Sequence, residues 1–158
     1  MTAATILELD LPDEAATRAL AAELARRARR GDVIGLSGPL GSGKTTFARA
    51  FIRARCPASE VPSPTFTLVE IYEPDGGPAV WHFDLYRLER PDEAYELGLE
   101  EALSEGIALL EWPERLGPLL PSEHLGIGLE PGGSETRRRV RLCAPTAWAG
   151  RVAGLPRG

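Results

Sequence analysis

The chain has 158 residues, of which 43% are hydrophobic and 26% charged, a balance that excludes an intrinsically disordered tail and predicts one globular domain over residues 1–158. Its net charge of −5 disfavours nucleic-acid binding by the chain alone, because proteins that bind nucleic acid without a partner usually carry an excess of basic residues. We expect a cytoplasmic protein, since no apolar stretch reaches the roughly 18–20 residues of a membrane span and the acidic N-terminus lacks the layout of a secretion signal.

Strand and helix patterns alternate in the first third of the chain. Residues 5–11 alternate apolar and polar side chains, which predicts a half-buried strand. A helix is expected over residues 14–30, ended by Gly31, and the nearly all-apolar residues 33–37 predict a strand covered on both faces. A glycine-rich loop and an amphipathic helix follow, and Pro57 closes that helix. This order is typical of an α/β domain.

Two hairpins are expected in the rest of the chain. Residues 66–73 and 79–86 are strand-like and flank the turn sequence "PDGGP". Residues 124–130 and 137–144 flank "PGGSE" in the same way. Hairpins inserted into an alternating α/β order predict a mixed sheet.

Helical and strand patterns also occupy the remaining segments. Residues 90–106 carry helix formers and predict one or two short helices, and residues 107–112 predict another buried strand. Residues 145–158 are weakly patterned and glycine-rich, so we expect a poorly ordered tail. The predicted fold is a three-layer α/β/α sandwich with a mixed, mainly parallel sheet and inserted hairpins.

The glycine-rich loop satisfies the pattern G-x-x-x-x-G-K-[ST] after a buried strand and before a helix. Glycines let successive amides turn inward around an anion, and a helix N-terminus adds partial positive charge. A lysine can reach the outer phosphates of a nucleotide, and a threonine hydroxyl can bind Mg²⁺. The predicted nucleotide-binding residues are Gly38, Pro39, Leu40, Gly41, Ser42, Gly43, Lys44, Thr45 and Thr46.

Two acidic residues stand at the ends of apolar runs. Asp84 follows "AVWHF" and Glu111 follows "IALL", and residues just past the carboxyl ends of strands face the ligand crevice of an open α/β sheet. Either acid could stand on the metal side of a Mg·nucleotide site, with Glu111 the more central. The alternative is a turn aspartate and a rim glutamate without function.

Residues 61–69, "VPSPTFTLV", bracket Ser63 with two prolines and place the hydroxyls of Ser63, Thr65 and Thr67 at a strand entry. We expect a switch-like segment whose threonine senses the γ-phosphate or Mg²⁺, and the alternative is an ordinary strand start. The two histidines are isolated, and a structural role is the default for both. The two cysteines show no paired spacing, which predicts no metal or redox motif.

Five phrases of the sequence, in chain order, resemble the TsaE (YjeE) family of bacterial P-loop ATPases: "GPLGSGKTTFARAF", "VPSPTFTLVEIY", "HFDLYRL", "ELGLEEAL" and "LLEWPERLGPLLP". The resemblance covers residues 9–142. It implies a role in forming N6-threonylcarbamoyladenosine at position 37 of tRNAs that read ANN codons. It also implies an ATPase that is weak alone, uses ATP and Mg²⁺, and works with TsaD and TsaB, through which it meets tRNA.

Matched position by position, the resemblance implies roles for several residues. Residues 38–45 match the phosphate loop, with Thr45 a Mg²⁺ ligand. Asp84 and Glu111 match the two acids around the metal, and Thr65 matches the switch threonine. The implied contacts near the nucleotide are Glu14 and one of two arginines, Arg137 or Arg138. Pro39 departs from the family, in which an acidic residue is frequent at this place.

Two other functions use the same phosphate loop. A small-molecule kinase would need an acceptor pocket and usually an arginine-bearing lid, and no separate lid segment is visible between Asp84 and Ile107. A non-catalytic module, in which ATP only sets the affinity for a partner, would not need the two acids. A GTPase is disfavoured because the chain has no N-K-x-D stretch.

Overall fold

The computed structural model describes residues 5–39, 41–57, 60–61 and 68–155. These residues form seven strands, four α-helices and two 3-10 segments. In chain order they are β1 (Thr5–Leu11), α1 (Glu14–Arg27), β2 (Val33–Ser37), α2 (Lys44–Arg55), β3 (Val69–Tyr72), β4 (Val80–Asp84), the 3-10 helix Pro91–Leu97, α3 (Leu99–Glu105), β5 (Ile107–Glu111), the 3-10 segment Pro113–Leu119, β6 (Leu125–Pro131), β7 (Arg138–Ala144) and α4 (Thr146–Val152).

All seven strands join one sheet in the order β1-β7-β6-β2-β5-β4-β3. Strand β2 pairs in parallel with β5 and β6, and β5 pairs in parallel with β4. Both expected hairpins are confirmed, because β3 pairs antiparallel with β4 and β6 pairs antiparallel with β7. Strand β1 returns antiparallel to β7. The predicted mixed, mainly parallel sheet is therefore confirmed.

Apolar side chains cover both faces of the central strands. Helices α1, α2 and α4 pack on one face, where Ile34 and Leu109 are fully buried. Helix α3 and the two 3-10 segments pack on the other face, where Phe83 and Leu110 are fully buried. Burial on both faces explains why β2 and β5 read as continuous apolar runs rather than alternating ones. The expected three-layer arrangement is present.

Helix α1 is shorter than predicted. It ends at Arg27, and Ala28 already has extended backbone angles (φ −74°, ψ 147°), so the expected end at residue 30 is wrong. The Asp32 carboxylate accepts a hydrogen bond from the Arg29 amide at 2.5 Å, which favours a turn over another helical turn. Gly31 lies inside that turn with φ +88° instead of capping the helix directly.

The C-terminal segment contains a helix that packs on the main core. Residues 146–152 form helix α4, whose Trp148 is fully buried in the main core together with Val152. Residues 156–158 lie outside the described part of the chain, and the expectation of a poorly ordered tail stays a prediction. The apolar face of α4 is narrow, and it becomes recognisable only against the sheet that it covers. Within the described ranges, every helix falls short of the length and apolar character needed to cross a bilayer.

Candidate active site

A cavity of about 470 Å³ opens at the edge of the sheet where the central parallel strands end. Strands β4 and β5 finish side by side there, with Asp84 paired in register with Glu111. Helix α2 begins at the same edge because it directly follows β2 through the glycine-rich loop. The cavity is lined by Gly41, Gly43, Lys44, Thr45, Thr46, Asp84, Tyr86, Arg87, Glu111, Trp112 and Arg138.

The glycine-rich loop passes close to strand β6 and then enters α2. A Cβ atom on Gly38 would lie 2.2 Å from the carbonyl oxygen of Leu129, so only glycine fits this approach. Gly43 is the N-cap of α2 in a left-handed conformation (φ 100°) and has no side chain to cap the helix. The amides of the first turn therefore stay available to an anion at the positive end of the helix.

The side chain of Lys44 is folded back over its own loop. Its ammonium group donates hydrogen bonds to the carbonyl oxygens of Gly38 and, at 3.1 Å, Pro39. The same group lies 4.1 Å from the centre of the Trp112 ring, a cation–π contact. Burial lowers the pKa of Lys44, and the nearby carboxylates of Glu111, Glu114 and Asp84 oppose that shift. The cation is thus held among groups that a phosphate could replace.

Glu111 is buried although it is an acid. Its Oε2 atom lies 2.7 Å from Nε2 of His82, and the two side chains are almost completely removed from solvent. Alternation along the strands explains this contact, since residues 80, 82 and 84 of β4 share one face, as do residues 107, 109 and 111 of β5. Val80 and Leu109 belong to the core beneath α2, so the acids also point toward the helix that carries Lys44.

Asp84 is the less buried of the two acids. The Tyr86 amide donates a hydrogen bond to its Oδ1 atom at 3.1 Å. Burial is the main cause that raises the pKa of Asp84, and the Glu111 carboxylate raises it further, whereas the Tyr86 amide and Lys44 lower it. A partly desolvated carboxylate beside a second acid gains stability when a cation binds next to it.

Of the two arginines considered from the sequence, one reaches the cavity. Arg138 donates to the carbonyl oxygen of Gly41 at 3.3 Å, and its Nε atom would lie 3.2 Å from a Cβ on Gly43. Arg137 instead pairs with Asp10 at 3.4 Å and does not line the cavity. Glu14 does not line it either, and its carboxylate pairs with Arg18 at the start of α1. The structure brings Arg138 to the loop and leaves Arg137 and Glu14 outside the lining.

Comparisons with known proteins show the family of the chain. The family model described as "Threonylcarbamoyl adenosine biosynthesis protein TsaE" matches residues 11–140. The chain belongs to the TsaE family. Its family therefore acts in the biosynthesis of threonylcarbamoyladenosine in tRNA, which confirms the resemblance seen in the sequence, and TsaE membership implies nucleotide binding.

Individual relatives match most of their own length. The chain is 41% identical over 123 residues to the tRNA threonylcarbamoyladenosine biosynthesis protein TsaE of Rickettsia felis, covering 77% of this chain and 71% of that protein. It is 42% identical over 141 residues to the protein of the same name from Aquifex aeolicus, covering 85% and 94%. The crystal structure of Bacillus subtilis YdiB matches with a TM-score of 0.78 and 29% identity, over 96% of this chain and 93% of that one.

The donor set of this TsaE cavity fits a nucleotide with a divalent cation. Lys44, Arg138 and the start of α2 supply positive charge, and Asp84 and Glu111 supply carboxylates at the same opening. The described residues contain no group of three or more His, Cys, Asp or Glu side chains that could hold a metal by themselves. Mg²⁺ commonly takes only one or two carboxylates and leaves its other positions to phosphates and water, so the site suits that ion in company with a nucleotide.

Some residues predicted from the sequence lie outside the described part of the chain, and some residues that line the cavity were not predicted. Leu40, Thr65 and the neighbouring hydroxyls of Ser63 and Thr67 lie outside the described residues. Tyr86 and Arg87 line the cavity but were not singled out, although they follow Asp84 and Leu85 in the family phrase "HFDLYRL". The strand end before them was the signal that could have found them.

Trp112 also lines the cavity, and its place depends on its backbone. The residue has φ +62°, an unusual left-handed conformation for a large side chain, and its amide donates to the Leu36 carbonyl at 3.2 Å. This turn ends β5 and places the indole of Trp112 against Lys44. The centres of the Trp112 and Tyr86 rings lie 4.9 Å apart. No sequence pattern predicts such a turn.

Proposed function

We propose that this chain is the ATP-binding and ATP-hydrolysing subunit that supports N6-threonylcarbamoyladenosine formation at position 37 of tRNAs reading ANN codons. It would act in the cytoplasm together with TsaD and TsaB, and tRNA would be held mainly by those partners. The observation that carries the proposal is the meeting of Lys44, Asp84 and Glu111 around one cavity at the start of α2. The acidic net charge of −5 is consistent with a subunit that leaves most tRNA contacts to its partners.

Phosphate binding is assigned to the loop and to Lys44. The uncapped amides at the start of α2 would surround the β-phosphate, and the ammonium group of Lys44 would leave the carbonyl oxygens of Gly38 and Pro39 for the outer phosphate oxygens. A charged phosphate oxygen is a stronger acceptor than a neutral carbonyl, so this exchange favours the bound state. Arg138 would add a second cation from the β7 side.

The hydroxyl of Thr45 and the carboxylates of Asp84 and Glu111 would hold Mg²⁺. When bound, that ion offsets the negative charge on the phosphate oxygens. Burial raises the pKa of Asp84 and so disfavours its ionised form, which a neighbouring cation would favour. Glu111, fixed by His82, would accept a hydrogen bond from the water that attacks the terminal phosphate and so orient it.

We expect the isolated chain to hydrolyse ATP slowly, because we assign the ordering of the switch-like segment to TsaD and TsaB. Thr65, which belongs to that segment, lies outside the described residues and remains a prediction. Ordering of such a segment by phosphate and partner contacts is a common way to control an NTPase. We therefore expect the TsaD–TsaB complex to raise the rate of ATP turnover.

The test compares ATP turnover by the chain alone, with TsaD–TsaB, and as Lys44→Ala and Arg139→Ala variants. Arg139→Ala is the matched control because this exposed arginine neighbours Arg138 and lines a different cavity. We expect partner-stimulated phosphate release that Lys44→Ala abolishes and Arg139→Ala leaves unchanged. Equal turnover with and without TsaD–TsaB would contradict the coupling to these partners.

Two further measurements separate the alternatives. Transfer of labelled γ-phosphate to an acceptor other than water would indicate a kinase. Wild-type support of the tRNA modification by a Glu111→Gln variant that binds ATP normally but hydrolyses it far more slowly would indicate a binding module. In cells, a deletion strain should lack the tRNA modification, and a Lys44→Ala copy should not restore it.

A further inference from the structure

We propose that His82 is a positioning residue that holds the Glu111 carboxylate in the orientation needed for nucleotide hydrolysis. The inference rests on the proposed function, since it assigns a role at the same cavity. His82 does not line that cavity itself and therefore acts through Glu111. From the sequence alone, a structural role is the default for His82. Its contact with Glu111 changes that interpretation.

The contact is short and shielded from water. Nε2 of His82 lies 2.7 Å from Oε2 of Glu111, and the exposed fractions of the two residues are 0% and 4%. A hydrogen bond to an ionised acceptor is stronger than one between neutral groups, and the low dielectric of a buried site strengthens it again. Glu111 therefore has one oxygen tied to β4, and we assign its other oxygen, Oε1, to the ligand.

The second nitrogen of the imidazole fixes the direction of this hydrogen bond. Nδ1 of His82 has no hydrogen-bond partner among the described residues although it is buried. A buried N–H without an acceptor is rarer and costlier than a bare acceptor, so the proton belongs on Nε2 and is donated to Glu111. The imidazole thus has one task in this site, which is to hold the carboxylate.

Holding Glu111 matters because Lys44 competes for it. The carboxylate and the ammonium group of Lys44 line the same cavity, so the two opposite charges attract each other. Without His82, Glu111 would be free to turn toward this cation and to leave the position assigned to the attacking water. Substitution of a residue that fixes the orientation of a catalytic or metal-binding carboxylate commonly lowers activity or metal affinity by about 10–100-fold.

The kinetic test uses His82→Leu, His82→Gln and Phe83→Leu in the assembly with TsaD–TsaB. Leucine fills the buried space without a donor, whereas the amide of glutamine can still donate from near the Nε2 position. Phe83 is equally buried and points to the opposite face of β4, so Phe83→Leu controls for weakened packing. We expect His82→Leu to lower kcat by about 10–100-fold with nucleotide affinity within about 2-fold of wild type. His82→Gln should recover most of the loss, and Phe83→Leu should keep kcat near wild type.

A double-mutant comparison identifies the route of the effect. If His82 acts through Glu111, adding His82→Leu to Glu111→Gln lowers turnover no further. A folded His82→Leu variant with wild-type kcat would overturn the inference, and so would a loss that is as large in the Glu111→Gln background as in wild type. Absence of turnover by the wild-type assembly would instead overturn the proposed function.

A second readout needs neither nucleotide nor metal. The chain has two histidines, and Nδ1 of His124 lies 2.6 Å from the Pro121 carbonyl oxygen, which can only accept. Nitrogen NMR of the imidazoles should therefore report a proton on Nδ1 for His124 and, for His82, a proton on Nε2 with a bare Nδ1. Glu111→Ala should perturb the His82 signal and leave the His124 signal in place. A proton on Nδ1 of His82 with Nε2 bare, or a His82 signal unaffected by Glu111→Ala, would overturn the assigned contact even if hydrolysis were never observed.

Discussion

The ammonium group of Lys44 lies over the face of the Trp112 indole, 4.1 Å from the ring centre. Binding of a triphosphate should draw this cation away from the ring, because phosphate oxygens are charged acceptors. Titration with Mg·ATP should therefore change the tryptophan fluorescence. The change should vanish in Trp112→Phe, since Trp81 and Trp148 are buried and do not line the cavity. An unchanged response in Trp112→Phe would contradict this assignment.

The close approach of Gly38 to Leu129 makes the loop intolerant of any side chain. A Cβ at Gly38 meets the Leu129 carbonyl oxygen at 2.2 Å, so Gly38→Ala must displace the loop and should abolish nucleotide binding as well as lower the melting temperature. Gly133 is the control, because it also has positive φ (+101°) but no atom within 4 Å of its Cβ position. Gly133→Ala should cost only about 1–2 kcal/mol of backbone strain and leave binding intact. Calorimetry and thermal unfolding measure both effects.

Arg138 should contribute to nucleotide affinity, and Arg137 should not. Arg138→Gln removes a cation that lines the cavity and contacts Gly41, so we expect the Kd for ATP to rise by about 5–20-fold, in line with about 1–2 kcal/mol for a partly exposed charge-assisted contact. Arg137→Gln removes a surface charge paired with Asp10 and should leave the Kd within about 2-fold. Equal effects of the two substitutions would show that general charge, rather than the placement of Arg138, sets the affinity.

Asp84→Asn should stabilise the ligand-free protein while it abolishes hydrolysis. Burial raises the pKa of Asp84, so the folded state binds that proton more tightly than the unfolded chain does, and the ionised carboxylate weakens folding at neutral pH. The melting temperature of Asp84→Asn should therefore exceed that of wild type at pH 7. The difference should shrink as the pH falls through the raised pKa toward the ordinary value of about 3.9. A gain in stability that grows on acidification would have the wrong sign for this explanation.

Helix α4 should be necessary for stability, although its sequence is weakly patterned. Trp148 is fully buried, and the guanidinium of Arg151 stacks 3.8 Å from its ring centre while it pairs with Asp32 at 2.6 Å. Trp148→Ala should lower the free energy of unfolding by about 3–5 kcal/mol, as expected for a large buried aromatic side chain. Denaturant titration tests this value. Ala147→Ser, at an exposed position of the same helix, is the control and should stay within about 0.5 kcal/mol of wild type.

Local patterns in the sequence predicted most of the fold. Short apolar runs identified β2 and β5, alternation identified β1, and glycine-rich turns identified both hairpins. These features depend on neighbours along the chain, so they can be read without the rest of the molecule. The end of α1 was predicted wrongly because it depends on a contact with Asp32, which lies outside the helix.

The phosphate loop and the two acids of the candidate site could likewise be named in advance. The spacing of Gly43, Lys44 and Thr45 follows from the geometry of a helix that begins at a phosphate, and Asp84 and Glu111 stand at strand ends. Their assigned roles remain predictions that the experiments above test. The family phrases added TsaD, TsaB and tRNA, which no local pattern could provide.

Contacts across the sheet needed the folded molecule. The pairing of His82 with Glu111, the choice of Arg138 over Arg137 and the stacking of Trp112 on Lys44 join residues that are far apart in the chain. Alternation tells which face of a strand a side chain occupies, but it does not tell which strand lies alongside or in what register. Register and crossing are settled when the core packs, because that is where the apolar faces of separate strands and helices first meet. The residues of the phosphate loop can therefore be predicted from neighbouring positions in the sequence. The partners of each charged group are decided by tertiary packing.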